Sequence, residues 1–251
     1  MIEKFVRRRL PFLYNPLLTV YQRLFDADTF RVRAHLRKAI AGLESQQKVL
    51  TFVQVGSNDG FSNDPFCNWI VDANPIAYFF EPVPSCFARL VANYSERVDS
   101  GVSSRLHFHN EAVTEEGSDL IFYSVSDAAI EELGQNLPYW WDQLGSFDRG
   151  HITKHLDGIL EPFIVQTNVK TVSLQEFVKR ERLTSIDILH IDAEGHDFRV
   201  LKSLDFSEVQ PQLILIEHKH LSSVDRVGLL ELLNQWGYRT TLFKSDLIAE
   251  K

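Results

Sequence analysis

Val53-Gln54-Val55-Gly56-Ser57-Asn58-Asp59-Gly60 is the stretch on which the fold turns. A short apolar run over residues 49–55 reads as a buried strand and ends in a turn carrying two glycines. Glycine reaches positive φ without steric cost and lets the backbone approach a ligand closely. A strand running into such a turn is how nucleotide-binding α/β folds begin. Downstream, the spacing predicts a helix over residues 65–71, with Asn63 or Asp64 as its cap and Phe66, Trp69 and Ile70 on one face. A second buried strand over 76–80 ends at Glu81, 21 residues after Gly60. An acid there can accept both ribose hydroxyls of a nucleotide. Strand C-termini of a doubly wound sheet face the ligand crevice, so Gly56 and Glu81 are expected to converge.

The rest of the chain keeps the alternation. A helix follows Pro84, with Ser85 as its expected cap and Phe87, Leu90, Val91 and Tyr94 on one face. Further strands are expected at 106–109, 120–125, 186–191 and 213–216, helices at 174–182, 198–204 and 224–236, and a closing hairpin at 238–243 and 246–249. Near-continuous apolar strands alternating with helices indicate a sheet covered on both faces. The fold class is therefore α/β: a doubly wound, mostly parallel Rossmann-like sheet with a C-terminal antiparallel hairpin. Residues 48–251 form this domain and residues 1–47 a basic, partly helical N-terminal arm, helical from Asn15 with Pro16 in its first turn.

Composition narrows the function. The 251 residues are 44% apolar and 24% charged, which excludes disordered and fibrous classes, and no apolar run is long enough for a membrane span. A net charge of −8 argues against binding nucleic acid. The charge is unevenly placed: residues 1–40 carry nine Lys/Arg (among them Lys4, Arg7, Arg8 and Arg9) against three acids, for +6, leaving −14 on the remainder. Interleaved with Phe5, Phe12, Tyr14, Tyr21, Phe25 and Phe30, those cations suit a helix packed on the main domain, or peripheral contact with an anionic membrane or acidic partner. Two cysteines, Cys67 and Cys86, fit a reducing compartment. Pro11, Asn15 and Pro16 interrupt what would be a signal peptide, so a cytoplasmic protein is expected.

The dinucleotide fingerprint G-x-G-x-x-G is missing, so no pyrophosphate site is expected. A nucleoside with a short charged tail suits the turn better, and S-adenosylmethionine fits. The segment His109-Asn110-Glu111-Ala112-Val113 closes the third strand and is placed to set a polar side chain near the adenine. Gly56-x-Asn58-x-Gly60, Glu81-Pro82-x-Pro84 and Ile186-Asp187-Ile188-Leu189-His190-Ile191-Asp192-Ala193-Glu194-Gly195 together resemble the FkbM-type methyltransferase family. The resemblance runs from about Val49 to His220 and implies a class I, S-adenosylmethionine-dependent enzyme that O-methylates sugars or natural products. His190 stands where the family usually has Lys, and Asp197 where it has Glu. The cofactor set that follows is Gly56, Ser57, Asn58, Asp59, Gly60, Glu81, Pro82, Glu111, Ala112 and Asp192.

Methyl transfer to an alcohol needs in-line alignment and removal of a proton. His218 and His196 are the candidate bases, because a histidine is largely neutral near pH 7. Asp192 and Glu194 are candidates for orienting the reacting groups. The acids and imidazoles of Asp192, Glu194, Glu217, His218 and His220 also admit a divalent metal, a less favoured reading because their spacing is no recognised ligand signature. Residues 133–162, with Tyr139-Trp140-Trp141, read as an acceptor lid over a saccharide-containing, hydroxyl-bearing substrate. The rival functions are a non-catalytic scaffold on the same fold and a metal-dependent hydrolase.

Overall fold

The structure, a computed structural model, describes residues 11–46, 48–98, 104–115, 120–134, 137–138 and 141–251. Two compact units divide the chain at residue 46. The first contains one long helix, α1 (Pro11–Glu44). Pro16 falls inside this helix rather than in its first turn. Val32, Leu36 and Ile40 recur every fourth residue along one face. The arm's Lys4, Phe5, Arg7, Arg8 and Arg9 lie outside the described residues. Among the described residues, no helix is long and apolar enough to cross a membrane.

The second unit runs β1 (Thr51–Val55), α2 (Cys67–Ala73), β2 (Ile76–Phe80), α3 (Pro84–Arg97), β3 (Leu106–His109), β4 (Ala112–Val113), β5 (Leu120–Val125), α4 (Ala128–Leu133) and α5 (Arg149–Thr153). It continues through β6 (Ile164–Val169), β7 (Thr171–Val172), α6 (Leu174–Glu181), β8 (Ile188–Ile191), α7 (Asp197–Lys202), β9 (Leu213–Glu217), α8 (Ser223–Gln235), β10 (Arg239–Leu242) and β11 (Asp246–Glu250). Seven strands make the main sheet in the order β10-β11-β9-β8-β1-β2-β3. From β3 to β9 the neighbours are parallel, whereas β11 runs antiparallel to both β9 and β10. This is the doubly wound sheet with a closing hairpin that the strand pattern implies.

Strand alternation decides what each face buries. Val53 and Val55 join Tyr78, Phe80, Leu189, Ile191 and Ile214 in a core closed by Phe177 of α6, Val200 of α7 and Leu229 and Leu233 of α8. On the other face, the Phe52 ring meets Phe66 at 5.0 Å and Phe79 at 6.2 Å, and Phe79 packs on Tyr94 of α3. Each element sits within a few residues of its expected span. Helix α2 starts at Cys67 rather than Pro65 because the Asp64 carboxylate takes the N–H groups of Phe66 and Cys67 at 2.6 and 2.9 Å. Ser85 does not cap α3; Val83 precedes it, and Pro84 supplies the first helical position.

The run 120–125 is a strand, but it does not join the main sheet. It pairs antiparallel with β6, a strand the sequence reading leaves out, in a separate two-stranded ribbon. Gln166, Thr167 and Asn168 make β6 too polar to read as a buried strand. Beside this ribbon, Trp141, Leu144, Ile152, Leu160 and Phe163 bury themselves with Val125 and Ala129 in a small core of their own. Tyr139 and Trp140 lie outside the described residues.

One polar network interrupts the apolar face. The register sets Gln54 beside His190, and the Gln54 amide lies 3.1 Å from His190 Nδ1 and also donates to Asp64. Burial alone holds the His190 imidazole down, at about 3. The unfolded chain takes up this proton near pH 6.5 while the folded protein stays neutral, so stability falls as pH drops below about 6.5. The slope from this one site approaches about 1.4 kcal/mol per pH unit. Replacing His190→Leu should remove that component, and urea unfolding of both proteins between pH 7 and 4.5 reads it directly; parallel acid limbs would show that His190 does not carry it.

Candidate functional site

The chain runs outward from β1 through β2 to β3 on one side, and from β8 to β9 on the other. The strand order therefore reverses between β1 and β8, where a crevice opens beyond the strand C-termini. Gly56 follows β1 and Asp192 follows β8, and the two turns are pressed together. A Cβ added to Gly56, whose φ is +79°, would lie 1.8 Å from the Asp192 carbonyl oxygen. Only glycine fits. The N–H groups of Gly56 and Ser57 both donate to the Phe80 carbonyl at 3.0 Å, and Gly60 N–H closes the turn on Ser57 at 2.8 Å.

Glu81 is 5% exposed, and its carboxylate reaches back to this turn. One oxygen accepts from the Asn58 N–H and the other from the Val83 N–H, each at 2.8 Å. The Asn58 backbone is left-handed, with φ 47°. Asn110 braces the same corner, donating to the carbonyls of Glu81 and Pro82 at 2.8 and 3.2 Å. Asp59 turns inward on its own loop, accepting from the N–H groups of Phe61 and Ser62. Just past β3, Glu111 is gripped by both guanidinium nitrogens of Arg180 at 3.1 and 2.8 Å, and Ala112 is buried beside Phe122 and Val169. Thus Gly56, Ser57, Asn58, Gly60, Glu81 and Pro82 are joined at one corner with Asp192 against it. Asn110, expected only as part of the segment near the adenine, is the residue that locks this corner.

The turn after β8 is built for display. The Asp197 carboxylate accepts from the N–H groups of Ala193 and Gly195 at 2.8 and 2.9 Å. That clamp holds Glu194 at φ 49°, a conformation a non-glycine residue adopts only when its surroundings impose it. Burial pushes Asp197 up to about 7 in spite of those two bonds. Burial, and then the charges of Glu194, Asp197 and Asp246, push Asp192 well above the usual carboxylate range. Glu217, at the end of β9, is raised in the same way, by burial first and then by Asp192 and Glu194. Acids crowd this end of the sheet, with Lys219 the cation that offsets them.

Of the two expected bases, His218 is tied into the fold. Its Nε2 lies 3.0 Å from the Phe243 carbonyl, and its backbone N–H donates to Ser245. His196 sits half-buried at the start of α7 with its ring 5.3 Å from Phe147 and its Nδ1 without a hydrogen bond. Burial, and then Arg199, hold it below the ordinary histidine value. One partner was not foreseen, His151; His220 was expected only among the metal candidates. His220 Nε2 stands 3.5 Å from Glu194 Oε2, and His151 Nε2 from α5 stands 3.1 Å from the same oxygen. Burial lowers His220 to about 4 despite Glu194. The metal candidates are thus redrawn: His151, Glu194 and His220 present ligand atoms that lie within 4.8 Å of one another, whereas His218 points to the hairpin. The spacing His151-x-x-x-His155 was the available signal for His151.

The family model described as Methyltransferase FkbM domain matches residues 54–240. Among solved structures, the methyltransferase FkbM from Methylobacillus flagellatus superposes with a TM-score of 0.50 at 15% identity, over 80% of this chain and 43% of that one. The chain therefore spans less than half of that protein's length, and at this identity the likeness speaks to the fold. A Bacillus cereus O-methyltransferase in complex with SAH matches with a TM-score of 0.42 at 11% identity, over 100% of this chain and 97% of that one. A Geobacter sulfurreducens SAM-dependent methyltransferase in complex with S-adenosyl-L-homocysteine gives 0.40 at 13% identity, over 86% and 65%. No curated protein matches the sequence.

The contact between the two turns is open to a direct check. Gly56→Ala must move either the turn or the Asp192 backbone, and a side chain at positive φ alone costs on the order of 1–3 kcal/mol. Its unfolding free energy from urea titration should fall by at least that much, whereas that of Gly42→Ala, with nothing within 4 Å of the added Cβ, should not fall. Equal midpoints for Gly56→Ala and the parent would mean that the two turns are not in contact.

Proposed function

Because the chain belongs to the FkbM methyltransferase family, we propose that it transfers a methyl group from S-adenosylmethionine to a hydroxyl oxygen of a saccharide-containing acceptor. The observation that carries this reading is Glu81, whose buried carboxylate is fastened at 2.8 Å to the Asn58 N–H of the glycine turn, at the point where the strand order reverses. Gly56, Asn58, Gly60, Glu81 and Asp192 would hold the cofactor, and the glycine at 56 lets its turn press on the Asp192 carbonyl, which keeps the two turns that would grip the ligand together. When bound, the cofactor supplies an electrophilic methyl group on a sulfonium.

The chain's own residues divide the remaining work. Asn110 and Val83 hold the Glu81 corner rigid, so the ribose contacts need no reorganisation. His196, half-buried at the start of α7 with its Nδ1 free of a hydrogen bond, is put forward as the base; His218, whose Nδ1 also makes no hydrogen bond, is anchored through its Nε2 on Phe243. Desolvation keeps the His196 imidazole neutral near pH 7, the state in which it accepts the acceptor's proton. Glu194, displayed by the Asp197 clamp, and Asp192 orient the acceptor oxygen. The segment that carries α5 supplies the acceptor's side of the crevice through His151.

Calorimetry with S-adenosylhomocysteine tests the cofactor half. The parent should bind, and Glu81→Ala should lose more than about tenfold in affinity, the value of one charge-assisted hydrogen bond. Radiolabelled methyl transfer to a panel of glycans and glycolipids tests the acceptor half. There His196→Gln should lower kcat by about 10²–10⁴-fold, as loss of a general base does, and leave S-adenosylhomocysteine affinity unchanged. A parent protein that does not bind S-adenosylhomocysteine would overturn the proposal.

A further inference from the structure

We propose that His151, Glu194 and His220 form a divalent transition-metal site joining the segment of α5 to the end of the main sheet. Three side chains from distant parts of the chain bring Nε2 of His151, Oε2 of Glu194 and a ring nitrogen of His220 within 4.8 Å of one another. Two edges of that triangle are 3.1 Å, from His151 to Glu194, and 3.5 Å, from His220 to Glu194. Ligands held about 2.1 Å from one ion at tetrahedral or octahedral angles stand about 3.0–3.4 Å apart, so the 3.1 Å edge suits a shared ion and the 3.5 Å edge lies just beyond that range.

Directional geometry points the same way. His151 is 8% exposed, yet its Nε2 makes no hydrogen bond, and neither does Glu194 Oε2 across that 3.1 Å gap. The two atoms converge without being aligned on each other, as ligand atoms aimed at a common point do. Leaving both unsatisfied would cost about 1–3 kcal/mol each. An ion at their intersection removes that cost. Nearby acids strengthen the case: Glu217 Oε2, also buried without a hydrogen bond, lies 3.8 Å from His220 Nε2, and Asp192 Oδ1 is buried without one. The His155 ring stands 5.1 Å from His151 and 6.0 Å from His220, adding a fourth imidazole to the surroundings.

Two imidazoles with one carboxylate favour a borderline first-row dication such as Zn²⁺, Co²⁺ or Fe²⁺ over Mg²⁺ or Ca²⁺, which take oxygen ligands. Three protein ligands leave positions for ligands from outside the protein. Acceptor oxygens belong to that class, and this use of the ion rests on the methyl-transfer reading above.

The test uses the full-length chain stripped with chelator and then titrated with Co²⁺, followed by ligand-field absorption and calorimetry. One equivalent should bind and give the intense visible bands of a low-coordinate site. His151→Ala, His220→Ala and Glu194→Gln should each weaken binding by more than about tenfold, the loss that even an outer partner of a metal ligand costs, while His107→Ala should not. Circular dichroism of each variant separates a lost ligand from a lost fold. A His151→Ala variant that does not fold passes the test to His220→Ala, which lies outside the small core. Weak binding to the parent, or binding unaffected by any of the three substitutions, overturns the site. S-adenosylhomocysteine affinity of the stripped parent is measured alongside. Its loss would count against the methyl-transfer reading, whereas retained affinity without Co²⁺ binding would count against the metal site alone.

Discussion

The approach of Gly56 to the Asp192 carbonyl is the contact on which the crevice depends. Parallel strands β1 and β8 lie side by side, and their following loops leave in opposite directions around the sheet. A crevice forms between them only if both loops can start without colliding. A side chain at Gly56 would overlap the Asp192 backbone at 1.8 Å, so glycine is a condition of the geometry rather than a convenience. With that contact in place, the turn can swing its Asn58 N–H onto Glu81 from the next strand, and Asn110 from the strand beyond fastens Glu81 in turn. Three successive strand ends are thereby locked into one rigid corner by short hydrogen bonds.

Electrostatics at the β8 and β9 ends follow a different logic. Asp192, Asp197 and Glu217 are gathered beside Glu194 where water is largely excluded, and burial penalises the charge of those three. Asp197 is partly compensated, since its two oxygens accept the N–H groups of Ala193 and Gly195. Those bonds set the backbone strain at Glu194, and the strain is what projects that carboxylate away from the turn. Asp192 and Glu217 have no comparable compensation and are held toward their protonated forms. Such a concentration of acid stores a demand for positive charge, to be met by a proton, by a bound cation, or by the cationic part of a ligand.

Most of this was legible in the residues because the main sheet is buried on both faces. Apolar runs at Phe52–Val55, interrupted by Gln54 alone, Ile76–Phe80 and Leu213–Ile216 have few alternatives to parallel core strands, and Gly56 marks the loop after the first. The ribbon of β5 and β6 was not legible for the converse reason. Half its residues face outward, so β6 shows Gln166, Thr167 and Asn168 and carries no apolar signature, while the apolar run of β5 says nothing about which sheet it joins. Site residues divide likewise. Gly56 and Glu81 are tied to strand ends and could be placed by counting. Asn110 works through backbone carbonyls of another strand, and His151 arrives from a remote segment. No spacing announces the first contact, and the His151-x-x-x-His155 spacing does not say what His151 meets.

The origin of His151 bears on how the two sides of the crevice relate. The cofactor corner is made entirely of turns that follow main-sheet strands, and its geometry is set by the sheet. Facing it, α5 belongs to a small core of Trp141, Leu144, Ile152, Leu160 and Phe163, packed on Val125 and Ala129 rather than on the sheet. Ile152, adjacent to His151, is fully buried in that core, which fixes the helix and therefore the direction of the imidazole. An insertion with its own core can change its exposed residues without disturbing the strands beneath. It can still hold one side chain firmly enough to meet Glu194 and His220. The arrangement separates a scaffold that is hard to alter from a wall that is easy to alter, with a few polar side chains as the joint between them.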